Sequence, residues 1–473
     1  MNNPTPNSRI TVYNTLSGKE EQIKPITPGV ISMYHCGPTV YDFAHIGNLR
    51  AYIFADTLRR TIESAGYDVK QVINITDVGH LTSDADQGED KMEESARKKH
   101  KTAKEITEEY TAAFLNDLTQ LNIRTAGTIF PKATDHIPEQ IALIKKLEEN
   151  GYTYTTSDGV YFDTSKFSDY GTLGGIDLEG LKSGARVEEN PEKKNHTDFA
   201  VWKFSKEAGT RQQEWDSPWG VGFPGWHIEC SAMSMKYLGE TFDIHTGGID
   251  HIPVHHNNEI AQSQCATGKT YVHTWMHSAF MTVDGHKMSK SLGNTYTLSD
   301  LQKKNIDPLA LRYFFLNASY RLQVNFTLEA VESAGQALHN LYALVETQPQ
   351  LLRHFGKAPT SETSSDIPAL IEAMNSDLNT SKALSILWQG LKNSTGSPQS
   401  KIELITIADK YLGLGLTDAL TLPPLEVLNL ATERESLRAA KDFTASDTLK
   451  VDIRNAGYAI QDSPSGPILL RIR

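Results

Sequence analysis

The sequence has few cysteines: three among 473 residues, Cys36, Cys230 and Cys265. Three thiols cannot build a disulfide framework in a chain of this length, which excludes a small disulfide-bonded secreted scaffold. Residues 1–8 carry no basic and apolar signal pattern, and no apolar run approaches the roughly 20 residues needed to cross a bilayer. We therefore expect a cytoplasmic protein with reduced cysteines and no membrane contact.

An excess of positive charge is absent as well. The 46 Lys and Arg residues against 58 Asp and Glu residues give a formal net charge of −12. This balance excludes a protein whose whole surface coats nucleic acid, but it is compatible with a local basic face that binds nucleic acid. With 39% hydrophobic and 22% charged residues the composition is typical of a soluble globular protein. The length predicts roughly two to four domains.

The chain also lacks a glycine-rich nucleotide fingerprint, but one stretch offers another route to a phosphate. The apolar run Val30–Tyr34 predicts a strand, and the helical spacing over residues 49–62 predicts a helix. Backbone N–H groups at the start of that helix, with the positive end of its dipole, would face an anion. Cys36, His45 and Gly47 lie between the predicted strand and the predicted helix. A single His before a helix is more often a cap or a packed side chain, so the stretch gains weight only together with motifs farther along the chain.

The rest of the chain indicates an interrupted sheet followed by helices. A predicted strand at Val69–Ile75 would complete a βαβ unit with the first strand, which indicates a parallel sheet. An amphipathic helix at Ile137–Leu147 and alternating glycine-rich segments at 159–163 and 171–175 predict an α+β insertion. The sheet resumes with a predicted strand and helix after residue 240. Helical spacing then dominates, in segments predicted at 328–345, 369–374, 382–391, 425–439 and 446–455.

Four side chains form a candidate metal set. His255 and Glu259 are four residues apart in the predicted helix 252–266, so they share one face. Cys230 and Cys36 would complete a tetrahedral zinc site of two thiolates, an imidazole and a carboxylate. Spacing alone leaves alternatives open, because such a His/Glu pair is more often a surface pair and His256 would serve almost as well.

Two further segments could bind a nucleotide. Lys287 and Lys290 flank small hydroxyl residues in the segment 287–291, where ammonium groups can meet phosphate oxygens. A solvated basic turn is the alternative. Gly247 and Gly248 follow a predicted strand and could admit a nucleoside against the backbone, with Asp250 on a ribose hydroxyl. A simple Gly-Gly turn is the alternative there.

Taken together, these motifs resemble those of the class I aminoacyl-tRNA synthetases. Residues 45–48, His-Ile-Gly-Asn, match the HIGH signature, and residues 287–291 read Lys-Met-Ser-Lys-Ser, the KMSKS signature. The chain is more closely similar to the cysteinyl-tRNA synthetases. That likeness extends over nearly the whole chain, in the segments 36–42, 225–233, 255–263, 310–314, 320–321, 374–380 and 440–443.

The resemblance implies a fold and its domains. The expected fold class is α/β, with a split Rossmann-like parallel-sheet catalytic domain, an α+β insertion, a helical bundle and a small C-terminal domain. The implied domains are the first catalytic half at 1–130, a connective insertion at 131–220, the second catalytic half at 221–285, a KMSKS and stem-contact segment at 286–327, the helical bundle at 328–420 and an anticodon-binding domain at 421–473.

The resemblance also implies roles for single residues. One Zn²⁺ would be bound by Cys36, Cys230, His255 and Glu259, which decides against His256. The remaining implied roles are catalysis by His45, Asn48, Lys287 and Lys290, binding of ATP by His45, Gly47, Asn48, Gly247, Gly248, Asp250 and Lys290, and binding of the amino acid by Gly37, Thr39, Thr76 and Trp226.

The activity implied is activation of L-cysteine by ATP, with Mg²⁺, followed by transfer to tRNA(Cys), by a monomeric enzyme. Zinc would select the thiol of cysteine over the hydroxyl of serine, since a pocket that relies on size separates near-isosteres by only about 10²-fold. One alternative is an ATP-dependent ligase that joins cysteine to a small-molecule amine, as in the mycothiol pathway. The 182 residues after Ser291 (473 minus 291) favour tRNA. A synthetase-like protein without activity would have eroded signatures, and both are present.

The sequence departs from the family pattern in three places. Asn257 stands where the family commonly has Glu, which removes a carboxylate expected near the zinc ligands. Val78-Gly79-His80 and the acidic stretch after it, residues 84–94, stand where the family usually has Ile-Asp-Asp. The tail at 462–471 lacks a Trp that is common there in the family, within the implied anticodon-binding domain.

Overall fold

The computed structural model describes residues 9–79, 90–176, 190–209, 211–288, 293–355, 364, 366–463 and 466–473. The chain divides into two compact units. Unit 1 contains residues 1–300 with 320–324, and unit 2 contains residues 301–319 with 325–473. No helix in the described ranges is long and apolar enough to cross a membrane.

The regular elements alternate between strands and helices up to about residue 290, and helices prevail after it. The strands are β1 (Thr11–Asn14), β2 (Lys19–Gln22), β3 (Val30–His35), β4 (Asp68–Ile73), β5 (Thr153–Thr156), β6 (Gly159–Phe162), β7 (Phe199–Phe204), β8 (Gly222–Pro224), β9 (Phe242–Gly248), β10 (Val272–Ser278), β11 (Met281–Val283), β12 (His286–Lys287), β13 (Val324–Phe326), β14 (Tyr458–Gln461) and β15 (Ile468–Arg471). The helices are α1 (Ile46–Ser64), α2 (Lys91–Lys99), α3 (Ala103–Gln120), α4 (Ile137–Glu149), α5 (Trp226–Leu238), α6 (Asn257–Thr267), α7 (Leu298–Gln302), α8 (Pro308–Leu316), α9 (Leu328–Phe355), α10 (Asp366–Asn375), α11 (Thr380–Lys392), α12 (Pro398–Leu412), α13 (Leu416–Ala419), α14 (Leu425–Ala439) and α15 (Phe443–Asn455).

A parallel sheet with the strand order β10-β9-β3-β4 forms the centre of unit 1. In its register, Tyr34 of β3 lies opposite Val72 of β4 and His245 of β9, and His245 lies opposite Trp275 of β10. The carboxyl halves of β3, β4 and β10 and nearly all of β9 are buried, as expected for parallel strands that are covered by helices. The predicted βαβ unit is present as β3-α1-β4, so the parallel sheet is confirmed.

An α+β insertion separates β4 from β9, as predicted. Its antiparallel sheet has the order β5-β6-β7-β8, with buried Phe162, Phe199 and Trp202 against α4. The alternating strand-like segment predicted at 171–175 is wrong, because these residues form turns. Gly174 and Gly175 have φ of +79° and +62° there, a region that glycine enters without the steric cost other residues meet.

Unit 2 is helical and is built on α9. Buried residues from α8 to α13 form one core, including Leu338, Leu384, Ile405 and Leu412. The predicted helix at 328–345 is a longer helix that continues past Pro349, and α12 was not predicted. A small unit of α14, α15 and the β14–β15 hairpin follows.

Candidate active site and metal cluster

The carboxyl ends of the parallel strands bring the candidate residues of unit 1 to one edge of the sheet. Cys36 directly follows β3, Thr76 follows β4, and Gly247 and Gly248 end β9. Ligand sites of open α/β sheets lie at this edge, where the strand order changes direction. Here β3 is flanked by β4, the next strand of its own βαβ unit, and by β9, which follows the insertion.

The four candidate metal ligands meet at this edge. One atom each from Cys36, Cys230, His255 and Glu259 lies within 4.8 Å of all the others, and all four residues are buried. His255 Nε2 is 3.1 Å from Glu259 Oε1, and Cys36 Sγ is 3.9 Å from the same oxygen. Cys36 comes from the end of β3, Cys230 from α5 and Glu259 from α6. Three separate elements therefore converge on one point.

A second set of four overlaps the first. Cys36, His245, His256 and Glu259 also place one ligand atom each within 4.8 Å of one another. His256 Nε2 is 3.3 Å from Cys36 Sγ, and His245 Nε2 is 3.0 Å from Glu259 Oε2. The sequence did not single out His245 as a site residue. Its position on β9 within the predicted sheet was the signal available, because alternate residues of a strand point to one side.

A layer of aromatic and histidine side chains holds these ligands from outside. His227 Nδ1 lies 2.9 Å from the Nδ1 atom of His255, and His277 Nε2 lies 2.8 Å from the Nδ1 atom of His256. The hydroxyl of Tyr271 donates to Glu259 Oε2 at 3.0 Å. Such outer partners fix the orientation of a ligand, and they leave its other atom to face the site.

Charge inside the cluster is set by burial and by the neighbouring groups. Burial raises the pKa of Cys36, whereas the hydrogen bond from Cys36 lowers the pKa of Cys230 to about 7. Burial opposes the imidazolium of His255, but the charge of Glu259 and the hydrogen bond with Cys230 raise its pKa to about 10. Burial also opposes the ionised Glu259, and the charges of His245 and His255 nevertheless hold its pKa below the usual range. A thiol that ionises near neutrality beside a carboxylate is a donor set suited to a soft divalent cation.

The candidate phosphate site lies at the start of α1. His45 is the N-cap of this helix: its Nδ1 accepts from the backbone N–H of Asn48, and Asn48 Oδ1 accepts from the N–H of His45, each at 3.1 Å. A Cβ at Gly47 would lie 3.1 Å from His45 Nδ1 and 3.4 Å from Met288 Cε. The first part of the KMSKS segment is therefore next to the helix start.

Of the two lysines of the KMSKS segment, Lys287 is among the described residues and Lys290 is not. Lys287 is exposed at the end of β12, and its carbonyl accepts a hydrogen bond from Asn294 Nδ2 at 3.2 Å. Lys290 lies outside the described residues. The roles of both lysines stay predictions.

Two of the four residues predicted to bind the amino acid, Gly37 and Trp226, are next to candidate metal ligands. Gly37 donates its N–H to Asn74 Oδ1 at 2.7 Å, and a side chain at Gly37 would collide with the carbonyl of Asn74. Thr39 and Thr76 face each other in a parallel bridge between the loop after β3 and the end of β4. The indole of Trp226 lies 4.6 Å from the imidazole of His255, measured between ring centroids. Gly37 is next to Cys36 in the chain and Trp226 packs beside His255, and the amino-acid-binding roles of all four residues stay predictions.

The predicted nucleoside site occupies the turn after β9. A Cβ at Gly247 would lie 2.7 Å from both His251 Nδ1 and His256 Cε1, so glycine is required there by packing as well as by any ligand. Gly248 is close to the carboxylate of Asp250, which is exposed in the turn Ile249–His251. Gly247 and Gly248 therefore lead into a turn, as the alternative interpretation expected, and the binding roles of these three residues stay predictions.

Comparison with known proteins decides the family. Residues 22–336 match the family model described as the catalytic domain of the class I (C) tRNA synthetases. The chain is 48% identical over 463 residues to Cysteine--tRNA ligase 1 of Burkholderia lata, with 97% of this chain and 96% of that protein covered. It is 42% identical over 481 residues to the Cysteine--tRNA ligase of Treponema denticola, with 96% and 98% covered. The chain belongs to the cysteine–tRNA ligase family.

Solved structures agree with the fold class of a class I synthetase. A methionyl-tRNA synthetase of Mycobacterium tuberculosis in complex with methionyl-adenylate aligns with a TM-score of 0.60 and 15% identity, covering 83% of this chain and 93% of that chain. An Agrobacterium radiobacter LeuRS in a ternary complex aligns with a TM-score of 0.59 and 12% identity, covering 85% and 86%. The predictions of family and fold class are confirmed.

This cysteine–tRNA ligase family member uses Asn257 to hold its backbone. Asn257 Oδ1 accepts from the N–H of Leu173 at 3.3 Å, and its Nδ2 donates to the carbonyls of Leu173 at 3.1 Å and Ile252 at 2.6 Å. The amide thus ties the insertion to the π-helical turn Ile252–His256, which carries His255 and His256. Asn257 therefore affects the positions of His255 and His256 through the backbone of the turn that carries them.

The two other departures from the family pattern are described only in part. Residues 84–89 of the acidic stretch, and residues 80–83 before it, lie outside the described residues. Asp90, within the stretch, caps α2 by accepting from the N–H groups of Met92 and Glu93, and it forms an ion pair with Arg211 of the insertion. Residues 464 and 465 of the tail also lie outside the described ranges.

Proposed function

We propose that this chain joins L-cysteine to tRNA(Cys) in two ATP-dependent steps. The observation that carries the proposal is the buried set of Cys36, Cys230, His255 and Glu259 at the carboxyl edge of the sheet, in the same unit as the capped start of α1. The similarity to curated cysteine–tRNA ligases over nearly the full length supports the same activity. It also disfavours the alternative of a ligase for a small-molecule amine.

We propose zinc as the resident cofactor, one ion per chain. The chemistry of the donors fits, because two sulfur ligands, one imidazole and one carboxylate form a set that zinc prefers. Zinc, when bound, supplies a soft Lewis acid that prefers the thiolate of cysteine to the hydroxyl of serine. The protein contributes the positions: His227 holds His255, and Tyr271 with His245 holds the second oxygen of Glu259.

In the first step, the carboxylate of cysteine attacks the α-phosphate of ATP, which is bound with Mg²⁺, and pyrophosphate leaves. Catalysis is positioning and charge stabilisation by the start of α1, by His45 and Asn48 and by Lys287 and Lys290. In the second step a terminal ribose hydroxyl of the tRNA attacks the carbonyl of the adenylate, and AMP leaves. Neither step requires a covalent intermediate on the protein.

The remaining parts of the proposal concern the tRNA and the cell. We propose that residues 286–327 contact the acceptor stem, that 328–420 form the supporting bundle and that 421–473 read the anticodon. Cytoplasmic location and a monomeric state complete it. Size-exclusion chromatography with light scattering tests the monomer directly.

The activity is tested by cysteine-dependent ATP–pyrophosphate exchange, followed by charging of a tRNA(Cys) transcript. We expect exchange with cysteine and charging of the tRNA. Absence of exchange would overturn the proposed function. Exchange without charging of tRNA, together with consumption of a small amine, would restore the alternative ligase.

The metal is tested by comparing Cys230→Ser with Cys265→Ser. Both cysteines are buried, but Cys265 is in neither of the two candidate metal sets. We expect one zinc per chain in the wild type and in Cys265→Ser, and a loss of zinc and of discrimination against serine in Cys230→Ser. Equal zinc content in both variants, with unchanged preference for cysteine, would refute the ligand set.

A further inference from the structure

Arg50, on the second turn of α1, reaches across to two segments that lead into the nucleotide end of the site. Its Nη1 donates to the carbonyls of Ala279 at 2.8 Å and Phe280 at 2.7 Å. Its Nη2 donates to the carbonyls of Tyr320 at 3.4 Å and Leu322 at 2.5 Å. Arg50 is only 4% exposed. A buried guanidinium thus holds four backbone carbonyls in fixed positions.

The two segments that Arg50 holds are themselves joined. The N–H of Ala279 donates to the carbonyl of Tyr320 at 2.8 Å, and the ring of Tyr320 stacks on Phe54 of α1 with 4.4 Å between centroids. Ala279 and Phe280 directly precede β11 and β12, the hairpin that ends at Lys287. Arg50 therefore fixes the root of this hairpin on the helix that begins at His45.

The far end of the same segment returns to α1. The N–H of Ile46 donates to the carbonyl of Tyr296 at 2.9 Å, and His45 forms an antiparallel bridge with Thr297. The chain between Phe280 and Tyr296 is thus attached to α1 at both of its ends. One end is held by backbone atoms and the other by the side chain of Arg50.

We infer that Arg50 is a positioning residue for ATP activation, which sets the distance between the phosphate-facing start of α1 and the hairpin that carries Lys287. This inference rests on the proposed function and adds to it a residue that need not touch any substrate. A guanidinium suits the task because its planar fork presents five N–H donors in a rigid geometry, whereas a lysine offers one point charge. Lysine at this position keeps the charge and loses the simultaneous hold on both segments.

Arg59 offers a matched control on the same helix. It is also buried, at 7% exposure, and it also donates to backbone carbonyls, those of Arg124 and Ala126. These carbonyls lie in the connection after α3, outside the segments that Arg50 holds. Arg59 also has side-chain partners, including an ion pair with Glu63, so replacing it with lysine removes at least as many hydrogen bonds and touches neither segment that Arg50 holds.

The experiment compares Arg50→Lys and Arg59→Lys in ATP–pyrophosphate exchange, with ATP and cysteine varied separately. Small misplacements of reacting groups cost up to about 100-fold in rate, so we expect Arg50→Lys to lose about 10- to 100-fold in kcat/KM for ATP. The KM for cysteine should change by less than about twofold, because the cysteine end is held by other residues. Arg59→Lys should lower thermal stability with ATP kinetics near those of the wild type.

Several outcomes would overturn the inference. ATP kinetics in Arg50→Lys that equal those in Arg59→Lys would show a purely structural role, and so would parallel losses for ATP and cysteine. If Arg50→Lys does not fold, Tyr320→Leu replaces it: this variant removes the ring stacked on Phe54, and unchanged ATP kinetics would count against the inference.

A readout without activity separates this inference from the proposed function. If the wild type shows no ATP–pyrophosphate exchange, the proposed function fails. Hydrogen–deuterium exchange then still tests the anchor. We expect faster amide exchange at Ala279 and across β11 in Arg50→Lys than in Arg59→Lys, and equal protection in the two variants would refute the anchor.

Discussion

Replacing Asn257 with aspartate tests how the ligand-bearing turn is held. The Nδ2 group of Asn257 donates to the carbonyls of Leu173 and Ile252 at 3.1 and 2.6 Å, and the residue is 2% exposed. Aspartate has the same shape, but it places a carboxylate oxygen against these two carbonyl oxygens. Two lost hydrogen bonds to a buried group and the repulsion should cost about 3 kcal/mol or more in unfolding free energy.

The pH dependence of this variant has a definite sign. Burial, with only the N–H of Leu173 left as a donor, raises the pKa of an introduced carboxyl group above its unfolded value of about 3.9. A raised folded-state pKa means that the folded form binds the proton more tightly, so the deficit of the variant is smallest below the unfolded pKa and grows as the pH rises toward the folded one. Urea unfolding followed by tryptophan fluorescence at about pH 4.5 and pH 7.5 measures this difference.

Asn258→Asp is the matched control. Asn258 is equally buried, and its Oδ1 accepts from the hydroxyl of Tyr170 at 2.5 Å, a bond that aspartate retains. Its Nδ2 has no hydrogen-bond partner among the described residues. We expect Asn257→Asp to be less stable than Asn258→Asp by about 2 kcal/mol at neutral pH. Equal losses in the two variants would refute the role of the Asn257 donors.

Three further predictions concern other parts of the chain. Gly37→Ala should destabilise by about 3 kcal/mol and impair exchange, because its Cβ would overlap the carbonyl of Asn74; a thermal midpoint equal to that of wild type would contradict this. Burial raises the pKa of Asp117 to about 6, so Asp117→Asn should stabilise by about 1 kcal/mol at pH 7 after allowance for solvent, and the gain should vanish near pH 4 in urea titrations. Gln350→Met should cost about 2 kcal/mol in unit 2, since Gln350 exchanges two hydrogen bonds with the backbone of Leu469 at 2.9 and 2.7 Å; unchanged unfolding of that unit would refute it.

Regular spacing carried most of the fold prediction. The strand at Val30–Tyr34 was readable as a short apolar run, and the helix at 137–147 was readable because its apolar residues recur with the helical period. The segment 171–175 was misread, since a glycine-rich stretch can alternate in polarity and still form turns. Helix α12 was missed, although Ser397 caps it and Pro398 opens it. Those two residues are also common in loops, so the start signal was ambiguous.

The candidate site was readable only where its residues are close in sequence or match a motif. His255 and Glu259 could be paired from their spacing, and the structure brings Nε2 and Oε1 to 3.1 Å. His245 comes from a strand 14 residues before Glu259, and no local rule relates a strand residue to a helix residue. The role of Asn257 was equally hidden, because its partner Leu173 lies in the insertion 84 residues earlier.

The overlap of the two candidate ligand sets limits the cluster to one cation. Cys36 and Glu259 belong to both sets, and two divalent ions this close would repel each other strongly in a buried site. Glu259 Oε2 is engaged by His245 and Tyr271, whereas Oε1 faces His255 and Cys36. The oxygen that His245 and Tyr271 do not engage thus faces the set that contains the second thiol, Cys230. Because sulfur donors favour zinc over harder divalent cations, this set is the one that would hold the proposed zinc.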